Sequence, residues 1–299
     1  MEHLKRGQTK AGPTDPGPQQ TPRTAVVWAV LRSELARSGR PLAVVDVGGG
    51  TGGFAVPLAH AGHRVTVVDA SPDALAALTR RALEAGVADR ITAVQGDADG
   101  LTALIGAGEA DLVLCHSVLE VVDDPPRVAV ALAESLRPGG AVSVLVAGRA
   151  GAVLARAVGG HIDAALALLA EPSGGGGPHD RVLRRYDVSE ATALLTGTGL
   201  RVEQVHGVRA MSDLVPGGVA ESEHATLLEL ELLAAALPPY RDIATQLHLL
   251  ARKPAAGQPA AGQPAAGQPA AGQPGQSSSG GPSSGRPSSG HAPTDRTVP

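Results

Sequence analysis

The sequence predicts an α/β fold: a doubly wound, mostly parallel sheet of seven strands. Three observations carry that reading. Short valine-rich runs recur along the chain and close on glycine or an acid, as buried parallel strands do when both faces are covered. Helical stretches alternate with them across short turns. Directly after the first run, five glycines fall within the six positions Gly48-Gly49-Gly50-Thr51-Gly52-Gly53. Glycine at a strand-to-helix turn tolerates positive φ and lets a ligand approach the main chain, while the next helix offers its free N–H groups.

In chain order, residues 1–22 are rich in Pro, Gly, Gln and Thr and are expected to be disordered. A helix follows from Arg23 and is closed by Gly39. The run to Asp46-Val47 is the first strand and residues 55–61 the next helix. Residues 64–69 form a second strand ending at Asp69, and Ser71-Pro72 opens a helix, serine capping and proline in the first turn. Residues 91–94 and 111–116 are the third and fourth strands. Asp123-Asp124-Pro125-Pro126 starts a helix through Leu136, ended by the turn Arg137-Pro138-Gly139-Gly140, and residues 141–146 are the fifth strand.

The pattern then changes. Residues 149–186 form a helical and glycine-rich insertion, expected to cover the carboxyl ends of the strands where ligands of such sheets lie. Asp187-Val188-Ser189-Glu190 has capping-box spacing. Residues 200–208 give a sixth strand, 221–237 a helix and 245–251 the last strand. Beyond Lys253 the pentad Pro-Ala-Ala-Gly-Gln repeats four times, so residues 254–299 read as a disordered low-complexity tail. The folded domain is expected over 23–253.

Composition bounds the function. Aromatic residues make up 1% of the chain against 43% hydrophobic content, so Ala, Val and Leu must build the core. A formal net charge of −4 argues against binding nucleic acid by bulk electrostatics and leaves a local basic groove open. Cys115 stands alone, which excludes an intrachain disulfide and fits a reducing compartment. No apolar run follows Lys5, Arg6 and Lys10, and no window reads as a membrane span. A cytoplasmic protein with no membrane partner is expected. No His/Cys cluster has metal-ligand spacing.

Two patterns overlay the glycine loop. Gly48-x-Gly50-x-x-Gly53 satisfies the dinucleotide fingerprint, which would make an NAD-binding oxidoreductase. Asp46-x-Gly48-x-Gly50-x-Gly52 resembles the motif of class I S-adenosylmethionine (SAM) methyltransferases. Later features favour the second resemblance. Asp97 ends the third strand, where those enzymes place an acid beside adenine, and Pro138-Gly139-Gly140 resembles their turn before the fifth strand. A last strand after a long helix fits their antiparallel hairpin. The lysines, Lys5, Lys10 and Lys253, lie far from Tyr186 and Tyr240 in sequence, so the Tyr–Lys pair of short-chain dehydrogenases is missing. The resemblance implies a Rossmann-like methyltransferase fold with its last strand antiparallel; a SAM-binding protein without catalysis is the remaining alternative.

Residues 111–120 are similar to a segment of the bacterial tRNA methyltransferases that esterify carboxymethoxyuridine at the wobble position. So are residues 23–28, Gly207-Val208-Arg209 and 227–231, and the similarity runs from about Arg23 to Pro254. By this resemblance Asp46, Gly48, Gly49 and Gly50 form the cofactor loop, with Gly48 and Gly49 near the methionine part. Asp69 meets the ribose, Asp97 and Ala98 flank the adenine, and His116 sits beside the cofactor. Arg23 lines up with an arginine that would pair with the methionine carboxylate, a bidentate match guanidinium is suited to. Val121 and the insertion depart from the subfamily, with fewer aromatic and basic residues, so a small-molecule acceptor stands beside tRNA. A carboxylate acceptor is already ionised at neutral pH and needs a cationic anchor, for which Arg149 and Arg209 are candidates. A hydroxyl or amine acceptor would use His116 or His161 as base.

Overall fold

The computed structural model describes residues 21–171, 173–175, 180 and 182–255. The expected disordered stretch 1–22 and the tail 254–299 fall almost wholly outside the described residues.

Seven strands form one sheet in the order β3-β2-β1-β4-β5-β7-β6. Helix α1 (Pro22–Ser38) precedes β1 (Ala43–Val47) and ends on Gly39 at φ 64°, the left-handed cap that glycine accepts freely. α2 (Ala55–His60) leads to β2 (Arg64–Asp69), and α3 (Pro72–Glu84) is capped by Ser71, whose hydroxyl accepts from the Ala74 N–H. β3 (Ile91–Gln95) is the outer strand. α4 (Leu101–Ile105), a helix the sequence reading did not place, is five residues long, too short to display a helical period. β4 (Ala110–His116) returns beside β1 on its other side. The chain thus reverses its winding between β1 and β4, where α/β sheets open a crevice.

α5 (Pro125–Ser135) is capped by the Asp124 side chain. The expected turn at residues 137–140 is instead absorbed into β5 (Leu136–Ala147). Ala110 pairs with Leu136 but Leu112 with Ala141, so β5 carries a bulge there. Gly140 permits it: a side chain at that position would stand 3.0–3.1 Å from three carbonyl oxygens.

The insertion folds as α6 (Arg149–Val158) and α7 (Ile162–Ala170), divided at Gly159-Gly160; Gly160 takes φ 79°. α8 (Val188–Thr196) has the expected capping box, formed by Asp187 and Glu190. After β6 (Arg201–Val208), the expected helix is two, α9 (Gly217–Ser222) and α10 (His224–Ala234), because Glu223 leaves helical geometry at φ −110°, ψ 30°. β7 (Gln246–Arg252) enters between β5 and β6, antiparallel to both, as the resemblance implied.

Side chains alternate across the sheet, as strand geometry requires. Val44, Val67, Leu112 and Leu114 pack with α1, α2 and α3. Val45, Val68, Val113 and Cys115 pack on the opposite face with α5 and α8. Among the described residues no helix is long and apolar enough to cross a membrane.

Candidate active site

The carboxyl ends of β1, β2, β3 and β4 surround a cavity of about 760 Å³. β1, β2 and β4 are apolar strands anchored in the core, and the turns at their ends reach the cavity beside the more exposed end of β3. Gly48 leaves β1 at φ 66° and donates its N–H to the Val68 carbonyl at 2.7 Å. Asp69 at the end of β2 accepts from the Gly50 N–H at 2.8 Å and the Ser71 N–H at 2.9 Å. Its carboxylate is therefore fixed by the glycine loop and keeps lone pairs for a ligand.

Asp46 lies beneath the loop, 2% exposed. A side chain at Gly49 would sit 2.6 Å from its Oδ2, so glycine there is a packing requirement. That Oδ2 has no hydrogen-bond partner among the described residues. Burial, with the nearby Asp69 carboxylate, pushes Asp46 up to about 7. An unpartnered buried carboxylate is costly, and a cationic group would satisfy it.

The far wall follows β4. Ser117 holds φ 59°, an uncommon value for a residue with a side chain, and donates its N–H to the Leu145 carbonyl at 2.8 Å. Val118, Val121 and Val122 then present an apolar surface, with Asp123, Asp124 and Arg127 beyond. Arg127 stands 3.6 Å from Asp99. Five aspartates and one arginine line this cavity, so its field favours a cation.

Residues 45–144 match the family model described as a methyltransferase domain. The tRNA 5-carboxymethoxyuridine methyltransferase of Escherichia coli K12 is 30% identical over 237 residues, spanning 78% of this chain and 88% of that protein. The chain belongs to the SAM-dependent methyltransferases. A ubiquinone biosynthesis O-methyltransferase of Ralstonia nicotianae is 39% identical over 115 residues, 38% of this chain and 47% of that protein. Among solved structures, an S-adenosylmethionine-dependent methyltransferase from Mesorhizobium loti has the same fold at 22% identity and TM-score 0.53, covering 76% of this chain and 97% of that one.

In this methyltransferase Gly48, Asp69, Asp97 and Ala98, four of the residues the resemblance assigned to the cofactor, line the cavity. Asp46, Gly49 and Gly50 stand behind them, holding the loop. Arg23 is exposed on the first turn of α1 and does not line the cavity. His116 closes β4 one residue before the cavity-lining Ser117, its ring edge-on to Phe54 with centroids 4.7 Å apart.

The expected acceptor anchors are not open cations. Arg209 lies within 2.7 Å of Asp213, and the Thr245 hydroxyl donates to the same carboxylate at 2.8 Å. Arg149 pairs with Glu190 at 2.7 Å. The sequence shows the arginines, but these partners come from folding: Asp213 meets Arg209 across the non-helical turn that follows β6. His161 is exposed at the start of α7. Nor do α6 and α7 line the cavity. The insertion instead braces its wall: the Leu183 and Arg184 N–H groups donate to the Glu120 carbonyl, and the Tyr186 hydroxyl to the Leu119 carbonyl at 3.0 Å.

Sequence reading missed Ser143 and His248, which join His116 in a buried chain. His116 Nε2 lies 2.9 Å from Ser143 Oγ, and that oxygen lies 2.8 Å from His248 Nε2. Burial pushes His116 down to about 3, which makes it a poor base at neutral pH. Hydroxyl and imidazole on alternate strand positions give no local signal. Only the register of β4, β5 and β7 brings them together.

Proposed function

We propose that this chain transfers the methyl group of SAM to the carboxylate of a modified wobble uridine in tRNA. The extent of the match to the E. coli tRNA enzyme carries the reading. It spans 88% of that protein and so includes the acceptor half, whereas the Ralstonia O-methyltransferase match spans 47% of its protein. The site's chemistry supports it: the cavity lining holds no histidine, lysine, cysteine or tyrosine, and a carboxylate acceptor asks for no base.

The residues fit the cofactor on two observations. The unpartnered Asp46 Oδ2 suits the ammonium of a methionine moiety. The aspartates lining the cavity suit a molecule of net positive charge and hydroxyls that donate to Asp69. When bound, SAM supplies a methyl group made electrophilic by its sulfonium. The chain's own part is positional. Asp69 would orient the ribose, Asp97 and Ala98 would flank the adenine, and Val118, Val121 and Val122 would exclude water from one wall. Methyl uptake by tRNA rich in carboxymethoxyuridine, with uptake by a panel of small carboxylic acids and phenols in parallel, tests the proposal. Label in a phenol with none in tRNA would overturn it.

A further inference from the structure

Residues 117–124, between β4 and α5, have no regular secondary structure and line one side of the cavity. Such a segment must still place its main-chain groups, because an unpaired buried carbonyl is costly. Its own bonds are few: the Val121 and Val122 N–H groups both donate to the Val118 carbonyl. The carbonyls that follow are met from one short stretch at the end of the insertion. Leu119 accepts from the Tyr186 hydroxyl, and Glu120 from the Leu183 and Arg184 N–H groups. Val122 and Asp123 accept from the two terminal nitrogens of the Arg184 guanidinium, the second at 3.4 Å.

Arg184 suits this task. A guanidinium presents several N–H donors in a rigid fork, so one side chain can meet two neighbouring carbonyls. Arg149 and Arg209 turn their forks to acids, whereas that of Arg184 goes to the main chain of the cavity wall. The stretch that carries it is fixed on its other side. Tyr186 is buried, its N–H donating to the Ala147 carbonyl at 2.9 Å and its carbonyl accepting from the Arg149 N–H at 3.0 Å. Arg185 stands 2.7 Å from Asp180, which also meets Arg156 of α6 at 2.9 Å. Residues 183–186 thus join the end of β5, the insertion and the cavity wall.

We infer that Arg184 is a positioning residue for the cofactor: it clasps the cavity wall to the insertion, so that filling the cavity and ordering the insertion favour each other. This rests on the cavity being the cofactor's and is independent of the acceptor. A wall already held presents Val121 and Val122 to the ligand in place. A loose wall must be ordered at the moment of binding, which lowers affinity. Linkage makes the effect reciprocal: the factor by which the clasp tightens cofactor binding is the factor by which the cofactor tightens the clasp. Residues 183–186 do not themselves line the cavity, yet they would respond to what fills it.

The test applies calorimetry and hydrogen exchange to the full chain, with S-adenosylhomocysteine as the probe. In the parent, exchange of the 183 and 184 amides is expected to slow about tenfold at saturating probe, within the usual range of coupling between two sites. Arg184→Ala should weaken probe binding by a similar factor and remove that slowing. Arg184→Lys keeps N–H donors but loses the fork, and should recover part of both. A packing role alone would lower the melting temperature and leave probe affinity and the exchange response at parental values; that result would overturn the inference. Should Arg184→Ala not fold, the parent decides. Exchange at 183 and 184 that is indifferent to bound probe overturns the inference and leaves the cofactor assignment standing. A parent chain that binds no probe overturns both.

Discussion

The two halves of the sheet face their ligands with opposite chemistry. Around the ends of β1 to β4 the side chains are carboxylates left largely unneutralised, with Arg127 as the cation among the lining residues. On the side of β5 to β7, Arg149 and Arg209 are each matched to an acid, and burial holds the His248 imidazole neutral beside Ser143. The first half is organised to hold a cation by a fixed backbone loop. The second spends its charges on holding itself together, as in the pair of Arg252 with Glu34 at 2.9 Å, which ties β7 to α1. On the proposed reading, cofactor binding is exposed to single substitutions in one short loop, while acceptor binding depends on pairings between distant segments.

The largest effect that would sharpen this contrast is expected at Gly49. A Cβ there meets Asp46 Oδ2 at 2.6 Å and Val67 at 2.9 Å, and overpacking of this kind costs about 1–3 kcal/mol. Gly49→Val should abolish measurable SAM binding and lower the melting temperature. Calorimetry that found normal affinity would break the claim that the loop is built on Asp46.

Asp69→Ala comes next. It removes the proposed ribose contact and also frees the Gly50 and Ser71 N–H groups. Loss of a hydrogen bond to a charged group costs roughly 1.5–3 kcal/mol, about tenfold or more in affinity. Unchanged SAM affinity in a folded Asp69→Ala protein would remove Asp69 from the site.

The same contrast governs what the sequence could reveal. The glycine loop, the acid ending β2 and the caps at Ser71 and Asp187 are local signals, a few residues apart, and each stands where it was read; Asp97 falls two residues past the end of β3. The turn at 137–140 was misplaced because glycine and proline serve a bulge as well as a turn. The division at Glu223 has no such marker, for glutamate is a good helix former. The salt bridge of Arg209 removed an expected anchor, and the buried chain through Ser143 and His248 joins residues up to 132 positions apart in sequence (248 − 116). Such groups have no spacing rule, and only strand register makes them neighbours.

Asp46 offers a pH test of the cofactor half. Its folded value of about 7 lies above its ordinary 3.8, so between those values the folded chain holds a proton that the unfolded chain has released. Stability from this group is full below about pH 4 and is lost as pH rises through 7. Asp46→Asn should flatten that part of the stability profile. If an ammonium meets Asp46, SAM binding near pH 6 should also release close to one proton, seen as buffer-dependent heat in calorimetry. Binding heats independent of buffer would place the ammonium elsewhere.

The smallest effect is expected at Arg209, on the other side of the comparison. It stands at φ 61° just after β6, and its guanidinium donates through Nε and a terminal nitrogen to one Asp213 oxygen, while Thr245 holds the other. Were it the acceptor's anchor, Arg209→Lys would lose the planar fork and turnover would collapse, because lysine does not replace arginine at a bidentate site. With Asp213 already filling the fork, lysine keeps the charge near a part-exposed carboxylate, where such pairs contribute about 1 kcal/mol or less. Turnover and SAM affinity should therefore stay within about threefold of the parent, with a small fall in melting temperature. A hundredfold loss of turnover at unchanged SAM affinity would mean that Asp213 yields Arg209 to the substrate. The acceptor half would then carry an ionic anchor, and its contrast with the cofactor half would rest on its buried histidines alone.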